Sequence, residues 1–135
     1  MNTAEGALRD AGLRATRQRL SVLASLRDRP DAVTAQDLHA ELRQAGEPVG
    51  LTTVYRTLTA LAEAGFLDVF TRDGEQAFRR CGDLHHHHLV CELCNRVQEL
   101  SGAEVERWVS DAASRHGFEV TGHRADIFGI CAGCR

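Results

Sequence analysis

The chain has 135 residues, of which 43% are hydrophobic and 26% charged, and its formal net charge is −3. This length and composition predict one or two small globular domains, and no stretch reaches the roughly 18 apolar residues of a membrane-spanning helix. The first residues carry neither the basic nor the apolar part of an export signal, so we expect a cytoplasmic protein with reduced cysteines and no membrane partner.

The first half of the chain has helical periodicity. Three helices are predicted, opened by threonine N-caps at Thr16, Thr34 and Thr52. Their inward faces carry apolar residues three or four positions apart: Leu20, Leu23, Ala24 and Leu26, then Leu38 and Leu42, then Val54, Leu58 and Leu61. After Gly65 the period changes to two, and Asp73-Gly74 predicts the turn of a two-stranded hairpin.

Three helices followed by a hairpin are typical of a winged helix-turn-helix domain, predicted to cover residues 1–80, although the pattern leaves any small α+β domain open. The third helix would be the recognition helix. Thr52 and Thr53 can bond phosphates, Tyr55 can pack on base methyl groups and Arg56 can bind guanine O6 and N7. The net acidity is an average, because residues 1–30 hold six arginines against three acids, a local charge of +3.

The second half is predicted to be a small α/β unit, residues 85–135, joined through a hinge at residues 81–84. Strands are predicted at 85–90 and 96–100, with one or two more within 118–130. Between them, a capping box from Ser101 to Glu104 predicts the start of a helix that Gly117 closes. The predicted fold class of the whole chain is therefore α+β.

Two Cys-x-x-Cys pairs flank this second unit, Cys91 with Cys94 and Cys131 with Cys134. Two such knuckles can close four sulfurs around one tetrahedral zinc ion, a set with no open position and hence a structural role. The alternative is a redox dithiol, which normally lies at the N-terminus of a helix. Here the first pair lies between predicted strands, so we expect the zinc site.

Four consecutive histidines, His85 to His88, precede the first pair. Side chains alternate between the two faces of a strand, so His85 and His87 would face one way and His86 and His88 the other. Each pair suits a separate metal site and needs one or two more ligands. The residues themselves leave these partners open among Cys81, Asp68, Asp83, Glu104, Glu106, His116 and His123.

Five segments together resemble the ferric uptake regulator superfamily of metal-dependent repressors. They are residues 11–19 (AGLRATRQR), 35–39 (AQDLH), 50–58 (GLTTVYRTL), 85–94 (HHHHLVCELC) and the closing pair Cys131 and Cys134. The resemblance covers nearly the whole chain. It implies a winged-helix DNA-binding domain, a C-terminal dimerisation domain and repression at palindromic operators. By position, Tyr55 and Arg56 would contact bases, Arg14 would approach the minor groove, and Arg17 and Arg19 would also lie at the DNA.

Within the superfamily, the chain looks most like the zinc uptake regulator branch. Iron-type members have a Glu and a His where this chain has Arg79 and Ala32. The resemblance implies a regulatory site of Asp68, Cys81, His86 and His88, and a third site of His85, His87, Glu106 and His123. A thiolate ligand favours zinc over Mn²⁺ and Fe²⁺. We therefore expect two to three zinc ions per chain, a homodimer on double-stranded operator DNA, and no small-molecule substrate.

The expected mechanism is selection of a DNA-competent conformer, because the regulatory set draws on both domains and the hinge. The alternatives are a manganese- or iron-responsive regulator and a peroxide or redox sensor of the same fold. An enzyme is the remote alternative. His39-Ala-Glu41 followed by Cys91 and Cys94 resembles a zinc deaminase signature, but Val90 replaces its proline and the second cysteine pair has no role in it.

Overall fold

The computed structural model describes residues 3–27, 29–80 and 86–135, without the side chain of Arg72. It divides into two compact units, Met1–Asp83 and Leu84–Arg135, called here the N-terminal and C-terminal units. Outside the described residues lie the predicted hinge, residues 81–84, and the predicted ligands Cys81 and His85. The boundary between the two units, after Asp83, falls within that hinge. None of the described helices is long and apolar enough to cross a membrane.

The described residues of the N-terminal unit form four helices where three were predicted: α1 (Ala4–Asp10), α2 (Arg17–Leu26), α3 (Ala35–Gln44) and α4 (Leu51–Glu63). The N-caps of α2 and α3 are confirmed, since Thr16 and Thr34 accept hydrogen bonds from the backbone amides of Arg19 and Asp37. The prediction for α4 was wrong, because Gly50 is the N-cap and Thr52 lies inside the first turn.

A three-stranded sheet packs in the same unit, with the order β1 (Val33–Thr34), β3 (Glu75–Arg80), β2 (Leu67–Arg72). The predicted hairpin is confirmed. Asp73 and Gly74 have φ values of 52° and 80°, the left-handed pair of a two-residue turn whose twist matches that of the strands. The sequence did not reveal β1, since two residues are too short to show a period.

The core of the N-terminal unit is formed by the inward faces of the helices and by β1, β2 and β3. Leu38, Val54 and Leu58 are fully buried, as their spacing predicts. Ala24 is exposed, however, and Val22 takes its place in the core, because the buried stripe of α2 runs through Val22, Leu23 and Leu26. This packing holds α4 against the sheet and leaves its other face in solvent.

From residue 86 onward, the C-terminal unit forms one helix and a three-stranded sheet: β4 (His87–Cys91), β5 (Val97–Leu100), α5 (Ala103–His116) and β6 (Asp126–Gly129). The sheet order is β5-β4-β6, with β5 antiparallel and β6 parallel to the central strand. Gly117 ends α5 in the left-handed conformation, as predicted. The predicted capping box was wrong. The N-cap is Gly102, with φ 70° and no side-chain cap, so Ser101 lies outside the helix.

Candidate metal centres and recognition helix

The four cysteines of the two knuckles lie together at one end of the C-terminal sheet. Cys91 is the last residue of β4, and Cys131 and Cys134 lie in the turn after β6. All four sulfurs lie within 4.8 Å of one another, and Cys94 Sγ is 3.8 Å from Cys131 Sγ. Two sulfurs bound to one tetrahedral zinc ion through bonds of about 2.3 Å lie about 3.8 Å apart, far beyond the roughly 2 Å of a disulfide.

The electrostatics of this cluster also fit a cation. The backbone amide of Cys131 donates to Cys91 Sγ at 3.4 Å, and with the amide of Cys94 it lowers the pKa of Cys91 to about 6. At the other extreme, the neighbouring side chains of Cys131 and Cys94 raise the pKa of Cys134 to about 12. The thiol of Cys91 therefore ionises readily while that of Cys134 resists ionisation beside its neighbours, and a divalent cation at the centre of the cluster would remove that resistance.

A second donor set forms between β4 and α5. Glu106 lies in the first turn of α5, and its Oε1 is 2.7 Å from His87 Nε2 and 2.8 Å from His123 Nε2. The two imidazole rings are 5.3 Å apart between centroids, and the three ligand atoms lie within 4.8 Å of one another. The structure thus brings together three of the four residues predicted for the third site. Two other candidates on the same helix, Glu104 and His116, are exposed and do not join it.

The residues predicted for the regulatory site belong to different units. Asp68 lies half-buried in β2 of the N-terminal unit, where its partner across the hairpin is Arg79. In the C-terminal unit the rings of His86 and His88 meet edge to face, with centroids 4.6 Å apart. His86 and His88 therefore share a side of the chain, while the next residue, His87, contacts Glu106. This is the alternation expected of a strand, and the four-residue set itself stays a prediction.

One contact of the regulatory histidines was missed from the sequence. His88 Nδ1 lies 2.9 Å from Asp126 Oδ1, because β4 and β6 run parallel with these two residues in register. His88 is 5% exposed, so the pair is largely shielded from water. An isolated aspartate in an otherwise apolar strand was the available signal, but only the strand pairing identifies its partner.

The residues predicted for DNA binding lie on the solvent side of the N-terminal unit. Arg14, Arg17, Thr52, Tyr55 and Arg56 are exposed, with Tyr55 at 51%. Thr53 is half-buried, and its carbonyl accepts from the Thr57 hydroxyl. Arg19 is also half-buried and donates to the Arg14 carbonyl at 3.0 Å. The first two turns of α4 therefore present a hydroxyl, a phenol and a guanidinium to solvent, a set suited to phosphates and base edges.

The chain is similar in sequence and fold to known proteins. The model of the ferric uptake regulator family matches residues 10–128. The zinc uptake regulation protein of Mycobacterium tuberculosis is 48% identical over 126 residues, covering 93% of this chain and 97% of that protein. The structure of the Vibrio cholerae ferric uptake regulator aligns with a TM-score of 0.78 at 33% identity, covering 96% of this chain and 100% of that one. The structure of FurB from M. tuberculosis, a zinc uptake regulator, aligns with a TM-score of 0.53 at 47% identity, covering 88% of this chain and 93% of that one.

Proposed function

Because the chain belongs to the ferric uptake regulator family, we propose that it is a zinc-dependent repressor that binds palindromic operator DNA as a homodimer and controls genes of zinc homeostasis. Membership of the family, together with the similarity to zinc uptake regulators, makes it a metal-responsive regulator of uptake genes and not an enzyme. In the deaminase-like pattern Glu41 would be the general acid and base. In the structure it forms a bidentate ion pair with Arg29, at 2.6 and 2.8 Å.

The observation that carries the proposal is the donor chemistry of the C-terminal unit. Four sulfurs converge in one cluster, and two imidazoles with one carboxylate converge in another. Sulfur and nitrogen ligands favour zinc, whereas manganese and magnesium favour oxygen. The higher identity to the mycobacterial zinc regulator, 47% against 33% for the Vibrio iron regulator, supports the same choice. In this proposal Cys91, Cys94, Cys131 and Cys134 hold a permanent zinc ion.

The regulatory step is assigned to Asp68, Cys81, His86 and His88 on the grounds of the sequence resemblance. When bound, zinc supplies a cross-link among ligands that come from both units and the segment joining them. His86 and His88 come from the start of the central strand of the C-terminal sheet, whereas Asp68 comes from the wing hairpin that packs behind α4. A cross-link among these residues selects one orientation of the recognition helix, and in a dimer that orientation sets the spacing of the two helices on DNA.

A second copy of the chain is the expected partner of the C-terminal unit. Large exposed apolar side chains concentrate there: Leu89, Leu93, Trp108, Phe118, Val120, Ile127, Phe128 and Ile130. In the N-terminal unit only Leu51 and Tyr55 belong to this class among the described residues. Soluble monomers rarely expose so much contiguous apolar surface. Leu89 and Ile127 are neighbours across β4 and β6, so part of this surface is a continuous strip of the sheet.

The test combines metal analysis with DNA binding in the cytoplasmic, reducing conditions that we propose for the protein. A duplex selected from a random library by the zinc-loaded protein serves as the probe. DNA binding should require added zinc under conditions in which the four-cysteine site is already filled. The Cys81→Ser variant should lose this zinc-activated binding. Arg56→Ala should weaken binding by about 1–3 kcal/mol and relax the selected sequence at one position, since it removes a base contact.

Three outcomes would contradict the proposal in different ways. Equal DNA binding with Fe²⁺ or Mn²⁺ at their cellular concentrations would move the chain to an iron or manganese regulator. Release of DNA by peroxide at constant zinc would make it a redox sensor. Unchanged zinc dependence in Cys81→Ser would show that the regulatory ligand set is wrong, while the repressor function itself would stand.

A further inference from the structure

Asp126 is held against His88 by the architecture of the C-terminal sheet. The two residues are partners in the parallel pairing of β4 with β6, and the backbone amide of His88 donates to the Ala125 carbonyl at 3.3 Å. The contact between His88 Nδ1 and Asp126 Oδ1, at 2.9 Å, is thus fixed by the backbones of both strands. Both side chains are largely shielded from solvent, with exposures of 6% for His88 and 18% for Asp126.

The second oxygen of the same carboxylate has its own partner. Arg124 Nη2 lies 3.5 Å from Asp126 Oδ2, while the Arg124 side chain is 73% exposed. The guanidinium therefore places a positive charge beside the second oxygen of the carboxylate at the edge of the sheet. The row formed by Arg124, Asp126 and His88 leads from solvent to the ring that faces His86.

An ionised carboxylate next to Nδ1 determines which nitrogen of the ring carries the proton. It accepts from Nδ1–H, so the lone pair of the neutral imidazole is placed on Nε2. The same contact prevents the ring from turning. A carboxylate bonded in this way to a metal-binding histidine orients the ring and raises its basicity. Here the carboxylate is one strand away from its histidine and is supplied by β6.

We propose that Asp126 is a positioning residue for the regulatory zinc site: it holds His88 as the Nδ1–H tautomer, so that Nε2 is the ligand atom, and thereby sets the zinc affinity of that site. This inference rests on the proposed function, in which His88 is a regulatory ligand. Arg124 acts through Asp126 as a weaker support. The third-site ligand His123 precedes Asp126 by only three residues, so this short segment supports both histidine sites of β4.

The experiment compares Asp126→Asn with Asp111→Asn, which makes the same charge change on the exposed face of α5 in the same unit. Zinc affinity of the regulatory site is measured in the full-length protein by chelator competition, with the four-cysteine site kept filled. The tautomer of His88 is read from long-range ¹H–¹⁵N correlations of its ring. We expect Asp126→Asn to weaken zinc binding about 10- to 100-fold and to mix the two tautomers, and Asp111→Asn to change neither.

Unchanged affinity with an unchanged His88 tautomer in Asp126→Asn would overturn the proposal. Co²⁺ bound at the regulatory site separates positioning from direct ligation. A d–d spectrum at saturation that is identical in wild type and variant supports positioning, whereas an altered coordination spectrum would make Asp126 a ligand and overturn it. A separate variant, His88→Ala, tests the underlying function. If this variant binds regulatory zinc normally, the ligand set fails, whatever Asp126→Asn shows.

Discussion

The two units of this chain are stabilised in different ways. Among the described residues of the N-terminal unit, fifteen buried apolar residues form one core cluster, drawn from the four helices, the sheet and the loop before α4. In the described part of the C-terminal unit only Val90, Cys91, Val97, His87 and His88 are buried, and α5 buries no residue fully. Three of these five are predicted metal ligands. One unit therefore has an apolar core of its own, whereas in the proposed function the other relies on its metal ligands and a partner surface.

This difference suits a metal sensor. A reading domain with its own core keeps the recognition helix folded whether or not metal is present. In the proposed function, a sensing domain with little core would respond to the loss of its ions, because bound ions would supply much of the free energy that orders it. The low number of aromatic residues agrees with the small core of the C-terminal unit. The chain has only seven, and its single Trp is 67% exposed on α5.

The largest effect should come from emptying the four-cysteine site. Cys91→Ser, or removal of zinc by a strong chelator, should unfold the C-terminal unit while leaving the N-terminal unit folded, because structural zinc supplies about 10 kcal/mol in small domains. Amide chemical-shift dispersion, followed separately for α4 and β4, measures this. The exposed cationic residue Arg135 next to the cluster offers a control, since Arg135→Ser should leave both units folded. A folded, dimeric Cys91→Ser protein would contradict the comparison.

The converse variant removes packing from the N-terminal unit. Leu58→Ala in α4 should lower the free energy of unfolding of that unit by about 2–5 kcal/mol, because Leu58 is fully buried and a cavity replaces its side chain. The zinc content of the C-terminal unit should not change. Leu51→Ala, at a position 43% exposed on the same helix, should cost far less. Loss of zinc in Leu58→Ala would show that the two units do not fold separately.

The pH dependence of the four-cysteine site provides a finer measurement. Metal binds thiolates, so each thiol whose pKa is raised must release a proton, and affinity increases as pH rises. The pKa of Cys134 is about 12 and that of Cys94 is raised, which makes the expected gain between pH 7 and 8 at least about a hundredfold. Below about pH 6 the slope should steepen, because Cys91, with its pKa near 6, is then protonated as well.

The thiolate-to-metal charge-transfer band of Co²⁺, measured against competing chelators, reports this affinity. Four thiols with the ordinary pKa of about 9 would give an affinity that levels off above about pH 9, whereas the raised pKa of Cys134 keeps the affinity rising beyond that point. A profile that levels off near pH 9 would therefore mean that the apo cluster does not hold its sulfurs as close as the structure places them, because the neighbouring side chains are what raise the pKa of Cys134.

The sequence predicted the elements that have a period and the ligands that have a spacing. Helix faces, the Asp73-Gly74 turn and the cysteine pairs are local patterns, since each follows from residues within one or two turns of chain. The α+β class and the family resemblance rest on such patterns and are confirmed. The short helix α1 and the two-residue strand β1 carry too few residues to show a pattern, so they were missed.

What the sequence did not predict depends on contacts between distant segments. Asp126 is 38 residues from His88, and only the parallel pairing of β6 with β4 brings them together. The error at the start of α5 has the same origin. Ser101 and Glu104 have the spacing of a capping box, but the chain must turn sharply beside the His87 ring, and Gly102 is the residue that can do so.

Substitution of Gly102 should have the smallest effect on stability, but it tests the C-terminal unit most selectively. A Cβ at this position would overlap the imidazole of His87, and the backbone is left-handed, with φ 70°. Gly117 has the same strain, with φ 73°, but nothing within 4 Å of its added Cβ. Both Gly→Ala variants should lose about 1 kcal/mol of stability through the backbone, and only Gly102→Ala should also displace His87 and weaken metal binding at the third site about tenfold. Equal third-site affinities, measured by chelator competition, would show that the ring can move aside, and that the ligand clusters of the C-terminal unit are less rigid than its packing indicates.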